Sequence, residues 1–461
     1  MDLLFSHDDL KYISVGLPSD IDAYRLNGDF DGEIALIQKK LASVPMPEAL
    51  RTRLRLELVI AEGMKNDYNT TEEQLYARLK EKFPTLSKSD FRSIIDSGNV
   101  DLIYRNGKEF FQNSAYSNIL STHSKFLNYV STGSHDSSPY FNTRRHENIK
   151  VMKENGSRAF KYTVHHEISL PEKFDSYKGQ KLTLYFPYPA ICDEQNEISL
   201  LGSSDPVFIS EAKHRTAYME VSYTPGKKYS IDYSYVNRAV YKEIDPEKAD
   251  AEATYNYGAY TDEMYPQIVF TPFLKMLARE IAGGEKNPYI VAKKIYEWVT
   301  ENVRYSYMRE YFYIDNIPMF AALNRRGDCG VQALLFITLC RICGIPALWQ
   351  SGSAVTPDRI GSHDWARFYI APYGWLYADP SYGGGAKRNG DDILYSHYFG
   401  NLDPDRLVCC TDFMQEFVPE KKYLRRDPYD NQSGEAEFED RAIMWGEIDT
   451  CRTVTSSEEI K

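Results

Sequence analysis

Residues 325–352 read RRGDCGVQALLFITLCRICGIPALWQSG. A Gly-Asp turn runs straight into a long apolar stretch, and a cysteine stands at the junction. Asp328 is a favoured helix N-cap residue. Leu335, Leu339 and Ile342 recur along one stripe, and Gly344 supplies a stop. The spacing therefore predicts a helix with Cys329 in its first turn. The partial positive charge of a helix N-terminus favours a thiolate there. The free backbone N–H groups of the same turn can hold an oxyanion. One place in the chain thus offers a nucleophile and half of an oxyanion hole.

A nucleophilic thiol needs a base. Residues 362–383, SHDWARFYIAPYGWLYADPSYG, contain two strand-like runs around Pro372-Tyr373-Gly374, so a hairpin is expected. His363 opens the first run and Asp379 closes the second, near opposite each other across a centre at 371. Residues paired across an antiparallel hairpin share a face. A carboxylate at Asp379 would fix the imidazole tautomer and leave the other ring nitrogen for the thiol. Pro380 biases Asp379 toward an extended backbone. Taken singly, Cys329 and His363 also read as structural residues; their conjunction is what points to acyl-transfer chemistry.

The chain of 461 residues is long enough for several domains. Its formal net charge of -12 argues against a nucleic-acid partner, because phosphate binding needs a basic face. No run reaches the roughly 18 apolar residues of a membrane span. The start, MDLLFSHDDLKYIS, lacks the basic and apolar regions of a secretory signal. Seven cysteines, an odd number in so long a chain, do not form a disulfide framework pattern. A reduced, cytoplasmic protein is the expectation.

Residues 1–125 read as a helical N-terminal domain. Thr71 and Gln74 occupy capping-box positions, Ser87 opens a further helix and Gly98 closes it. Asn106-Gly107 predicts a tight hairpin near 101–112. The outline is that of a winged helix, but the candidate second helix balances Lys88 and Arg92 with Asp90 and Asp96, so DNA binding is disfavoured. Residues 126–157, dominated by small and polar types, read as a linker. Residues 158–245 alternate at period two between turn signals and predict a β-sandwich domain. His165 and His166 are adjacent on a strand and point to opposite faces, which is poor geometry for a shared metal. Residues 260–420 carry the helix and hairpin above, with Asn287-Pro288 opening another helix. Residues 421–461 read as a C-terminal extension. The Cys340-x-x-Cys343 pair and Cys409-Cys410 read as buried thiols, not a metal site. Gly383–Gly385 lack the Lys-Ser/Thr of a phosphate loop and are expected as a flexible rim of the site.

The pattern G-D-C, apolar helix, G-I-P-A, H-x-W, G-W and D-P resembles the core of the transglutaminase-like superfamily. The segment KIYEWVTENVRYS resembles the helix before that core, and YFPYPAICDEQNEISLLGS the β-domain of many bacterial members. The resemblance spans roughly 158–400. It implies an α+β multidomain protein with a papain-like transglutaminase core and a triad of Cys329, His363 and Asp379. It further implies acyl transfer on a peptide or peptide-like amide through a thioester, with hydrolysis favoured. Cross-linking of Gln to amines is the alternative, and a binding scaffold with an idle triad the second. Animal members use a tryptophan before the cysteine to hold the oxyanion; here the region is REYFYIDNIPMF, leaving Tyr311 or Tyr313 beside the Cys329 N–H. Asp328, Trp365 and Arg367 are candidate substrate-pocket residues, with Arg367 standing where many bacterial members carry an acid. No Asp/Asn-rich calcium loop is present, so no metal and no cofactor is expected. The expected partner is a peptide or protein substrate, with no nucleic acid and no membrane.

Overall fold

The structure, a computed structural model, describes residues 3–98, 100–122, 139–444 and 446–461. The N-terminal part begins with a 3-10 helix, His7–Ser14, followed by helices Ser19–Leu26, Phe30–Ser43 and Glu48–Asp67. A two-residue strand, Thr70–Thr71, leads into helices Glu72–Lys82 and Lys88–Asp96 and the hairpin Leu102–Arg105/Lys108–Phe111. Local chemistry explains two of these boundaries. Thr71 Oγ1 accepts from Gln74 N, while the Gln74 side chain accepts from Thr71 N, a reciprocal cap. Asn106 and Gly107 take φ of 50° and 77°, as the two-residue turn requires. Leu75, Leu79, Phe91, Ile94, Ile95 and Phe111 close a small core of their own.

Two expectations fail in the middle and at the end of the chain. Pro139–Asn155, placed in the linker, is a 17-residue helix. The stretch PYFNTRRHENIKVMKEN offers few apolar residues, and among the described residues Ile149 and Met152 are its buried apolar ones. Its anchors are polar: Arg144 Nε and Nη2 each reach the Asp405 carboxylate at 2.7 Å, and Asn148 reaches it at 2.9 Å. Apolar periodicity cannot signal a helix held in this way. The first part of that linker, 126–138, lies outside the described residues, and Ser157 at its end already opens a strand. Residues 421–461 are not an appended extension. Glu435–Phe438 pairs antiparallel with Lys181–Pro187, and Asp449–Ile460 pairs along the length of Ser157–Ser169. The resulting sheets of five and four strands bury one apolar cluster that includes Tyr162, Val164, Leu184, Phe186, Tyr233 and Ala436.

The sheet that positions the site has the strand order Phe399–Gly400, Gly374–Ala378, Arg359–Ile370, Ala347–Thr356, Arg406–Cys410. Helix Cys329–Ile342 packs against its strand Arg359–Ile370. Ala366, Phe368 and Ile370 join Leu334, Leu335 and Leu339 in the largest core. The odd-numbered Trp365 belongs to a different cluster with Tyr382, Tyr398 and Val408. The strand thus separates two apolar layers, as its alternating side chains require. Val355 and Leu407 of this sheet complete the cluster of the two β-sheets, so the units share buried surface.

Candidate active site

Asp328 caps helix Cys329–Ile342 by accepting from Val331 N at 3.2 Å. Cys329 is therefore the first helical residue and half-buried. Its own N–H and that of Gly330 have no intrahelical acceptor. Gly330 permits a close approach: a Cβ there would lie 2.3 Å from Tyr311 Oη and 2.8 Å from Asp364 Oδ2. The Tyr311 hydroxyl donates to Asp328 Oδ1. Tyr313 lies elsewhere, against Gly63 of the Glu48–Asp67 helix. Of the two tyrosines named from sequence, Tyr311 alone stands beside the cysteine turn, and its proton is committed to Asp328.

His363 Nε2 lies 2.7 Å from Asp379 Oδ2, with both side chains buried. Burial by itself would raise the Asp379 pKa. His363 and the Arg406 guanidinium, 3.0 Å away, outweigh it and bring the carboxyl down to about 2. An ionised carboxylate only accepts, so Nε2 carries the proton in neutral His363 and Nδ1 is left for proton transfer. The pair is reached differently from the sequence expectation. The ladder runs Ala366↔Ala378 to Ile370↔Gly374, which puts Asp379 level with Trp365 and His363 two residues further along. Asp379 is also the N-cap of the next helix, Pro380–Arg388, accepting from Tyr382 N. Capping turns its carboxylate back along the strand toward His363. The Gly383–Gly385 run lies inside this helix, not on a flexible rim. Gly383 is needed because a Cβ would meet Tyr296 Oη at 1.7 Å.

The thiol has a partner that sequence reading missed. Cys329 Sγ hydrogen-bonds Asp364 Oδ2 at 3.2 Å, and no hydrogen bond joins it to His363 among the described residues. Adjacent strand residues project to opposite faces: Asp364 reaches Cys329, while the His363 ring stacks on Tyr382 at 4.1 Å. Burial pushes the Cys329 thiol well up, and Asp364 and Asp328 add to that rise. The activated thiolate expected from the helix N-terminus is thus opposed by desolvation and two carboxyls. Burial and Asp328 raise Asp364 in turn, to about 8, and Gln432 Nε2 holds its other oxygen. Burial likewise raises Asp328, to about 6, against the pull of Tyr311. The pocket candidates Trp365 and Arg367 contact other groups than Cys329. Trp365 Nε1 donates to Gln350 Oε1 at 2.7 Å, and Arg367 pairs with Asp193 at 2.6 Å. With Lys242 and Trp375 they line a separate cavity of about 160 Å³. Among the described residues no group of three His, Cys, Asp or Glu is arranged to hold a metal ion.

Residues 275–380 match the family model of the transglutaminase-like superfamily. The chain carries a transglutaminase-like core. No curated protein matches it. Among solved structures it is similar to a candidate cysteine protease from Cytophaga hutchinsonii, at 16% identity and TM-score 0.37, covering 66% of this chain and 90% of that one. It is also similar to the periplasmic domain of TgpA from Pseudomonas aeruginosa, at 14% identity and TM-score 0.26, covering 54% and 95%. At these values the likenesses carry no argument about activity or substrate.

Within the transglutaminase-like core, Asp364 makes a direct prediction. Asp364→Asn keeps the hydrogen-bonding shape but removes a carboxyl that opposes ionisation of the thiol. The pH at which Cys329 is half-alkylated by iodoacetamide should fall by about one unit or more. An unchanged profile would show that Asp364 does not hold the thiol up.

Proposed function

We propose that the protein is a cysteine-dependent acyl-transfer enzyme acting on peptide or peptide-like amides. Cys329 is the nucleophile, His363 the proton carrier through Nδ1, and Asp379 the group that orients it. The observation that supports this best is the buried, ionised Asp379 on the Nε2–H of a histidine whose neighbour in sequence touches the cysteine. At rest the thiol is neutral and donates to Asp364, so attack requires that its proton first pass to His363 Nδ1. Sγ then bonds the substrate carbonyl carbon, and the oxyanion takes the Cys329 N–H. His363 returns the proton to the departing amine, leaving a thioester. Water, deprotonated by His363, then attacks the thioester carbonyl; the C–S bond breaks, the acid leaves and His363 returns the proton to Sγ. We favour hydrolysis over transfer to an amine.

A second reading has its own support. Because Cys329 bonds Asp364 in place of His363, the chain could serve as a scaffold with an idle thiol. Incubation with a peptide library and a tagged primary amine separates the readings. New N-termini indicate hydrolysis and tag incorporation indicates transamidation. Neither product, with a folded protein, rejects the enzyme in favour of the scaffold.

A further inference from the structure

The N-terminal part of the chain reaches the cysteine turn through one buried carboxylate. Asp101, 1% exposed, precedes the hairpin strand Leu102–Arg105. Its Oδ2 accepts from Tyr68 Oη at 2.6 Å and Arg309 Nε at 3.0 Å. Its Oδ1 accepts from Arg309 Nη2 at 2.9 Å and Arg326 Nη2 at 2.8 Å. Burial would raise its pKa, but the two arginines prevail and lower it, so it is an anion with its lone pairs well used.

The two arginines sit at matching places. Arg309 lies two residues before Tyr311, and Arg326 two residues before Asp328. Tyr311 and Asp328 are the pair whose hydrogen bond lies against the cysteine turn. The same two segments are joined directly by a short parallel bridge, Arg304↔Arg326 and Tyr305↔Gly327. Further donors from the N-terminal part hold the first segment: Gln112 Nε2 to Met308 O at 3.1 Å and Asn118 Nδ2 to Ser306 Oγ at 2.9 Å. The second is held by Arg326 Nη1 on Val100 O at 3.2 Å.

We propose that Asp101 is a positioning residue for Cys329: by drawing Arg309 and Arg326 onto one anion it sets the Tyr311–Asp328 contact, and with it the cap of the nucleophile helix. The inference rests on reading Cys329 as the nucleophile. It makes the helical N-terminal part a component of the active site, not an accessory. Purely hydrophobic docking would fix the two units against each other without defining the angle of two particular loops. A carboxylate bound by two guanidinium groups defines it, because each fork–oxygen contact is directional.

The test uses the full chain carrying Asp101→Asn. Alkylation of Cys329 is followed beside the buried Cys340, Cys409 and Cys410, which report on global folding. With a library peptide as substrate we expect kcat to fall by about 10- to 100-fold with KM little changed, since a misplacement of about 1 Å costs up to about 100-fold. Over the same variant, Cys329 should alkylate faster at fixed pH, by roughly threefold or more, as the loosened turn relieves its desolvation. The three buried thiols should stay protected. Slower turnover with faster alkylation is a signature that mere loss of folded protein does not produce. Unchanged kcat and unchanged Cys329 alkylation would overturn the proposal. If Asp101→Asn exposes the buried thiols, Arg326→Met serves instead, because it spares the Arg309 pair; the same two outcomes decide. Should Cys329→Ala keep turnover of the library peptides within tenfold of wild type, the nucleophile reading fails, while the alkylation difference between Asp101→Asn and wild type still judges the clamp.

Discussion

Cys329→Ala is expected to lower acyl transfer by at least about four orders of magnitude, with both library peptides and the tagged amine as readouts. Removing the nucleophile of a triad costs on that scale, since only binding and oxyanion contacts survive. The change should scarcely touch stability. The side chain is half-buried, and its one hydrogen bond is to a carboxyl that also accepts from Gln432. Removing a single sulfur at this site is expected to cost about 1 kcal/mol. A melting transition close to wild type, beside abolished activity, would place the loss in chemistry. Activity retained within tenfold would remove Cys329 from the mechanism. Cys192, Cys343 and Cys451 would then be the thiols left to examine, since Cys340, Cys409 and Cys410 are buried.

Asp379→Asn should be nearly as damaging, by about 10³- to 10⁴-fold in kcat, because an amide can present its N–H to Nε2 and stabilise the wrong tautomer. Here a second consequence accompanies the first. Arg406, itself buried, has Asp379 and Asp403 as its carboxylate partners, at 3.0 and 3.2 Å. Losing one leaves a buried cation half-compensated, a defect that reaches about 3–5 kcal/mol when a buried pair is broken outright. The acid limb of stability reports on the same group. The folded-state pKa of Asp379, about 2, lies below its ordinary value near 3.8. Its contribution is therefore present above about pH 4 and lost as pH falls through 2. The variant should show a shallower loss of stability over that window than the wild type. A variant with wild-type turnover would refute the orienting role; an unaltered acid limb would refute the charge assignment.

Much of the candidate site is short-range chemistry, and that part is legible in the chain alone. Asp328 followed by an apolar run defines a helix start, so Cys329 is placed in a first turn without any tertiary information. Thr71 with Gln74, Asn287 before Pro288, and Asn106-Gly107 work in the same way, because each device is complete within a few residues. The hairpin bearing His363 and Asp379 is likewise local, although its register is displaced by two residues and the link is made by a helix cap.

Other features exist only once distant segments meet. Asp364 reads as a strand residue until the helix packs on its face and sets its carboxyl on the thiol. Gln432 and Arg406 come from loops and strands with no motif of their own. Asp101 meets Arg309 across 208 residues. The tail strand Asp449–Ile460 finds its partner near residue 160, so a stretch that reads as an appendage closes a sheet. Periodicity and capping report the energy a segment gains from its neighbours in sequence. The ionisation of Cys329, and the identity of the group that holds its proton, depend on burial and on charges delivered from elsewhere in the chain.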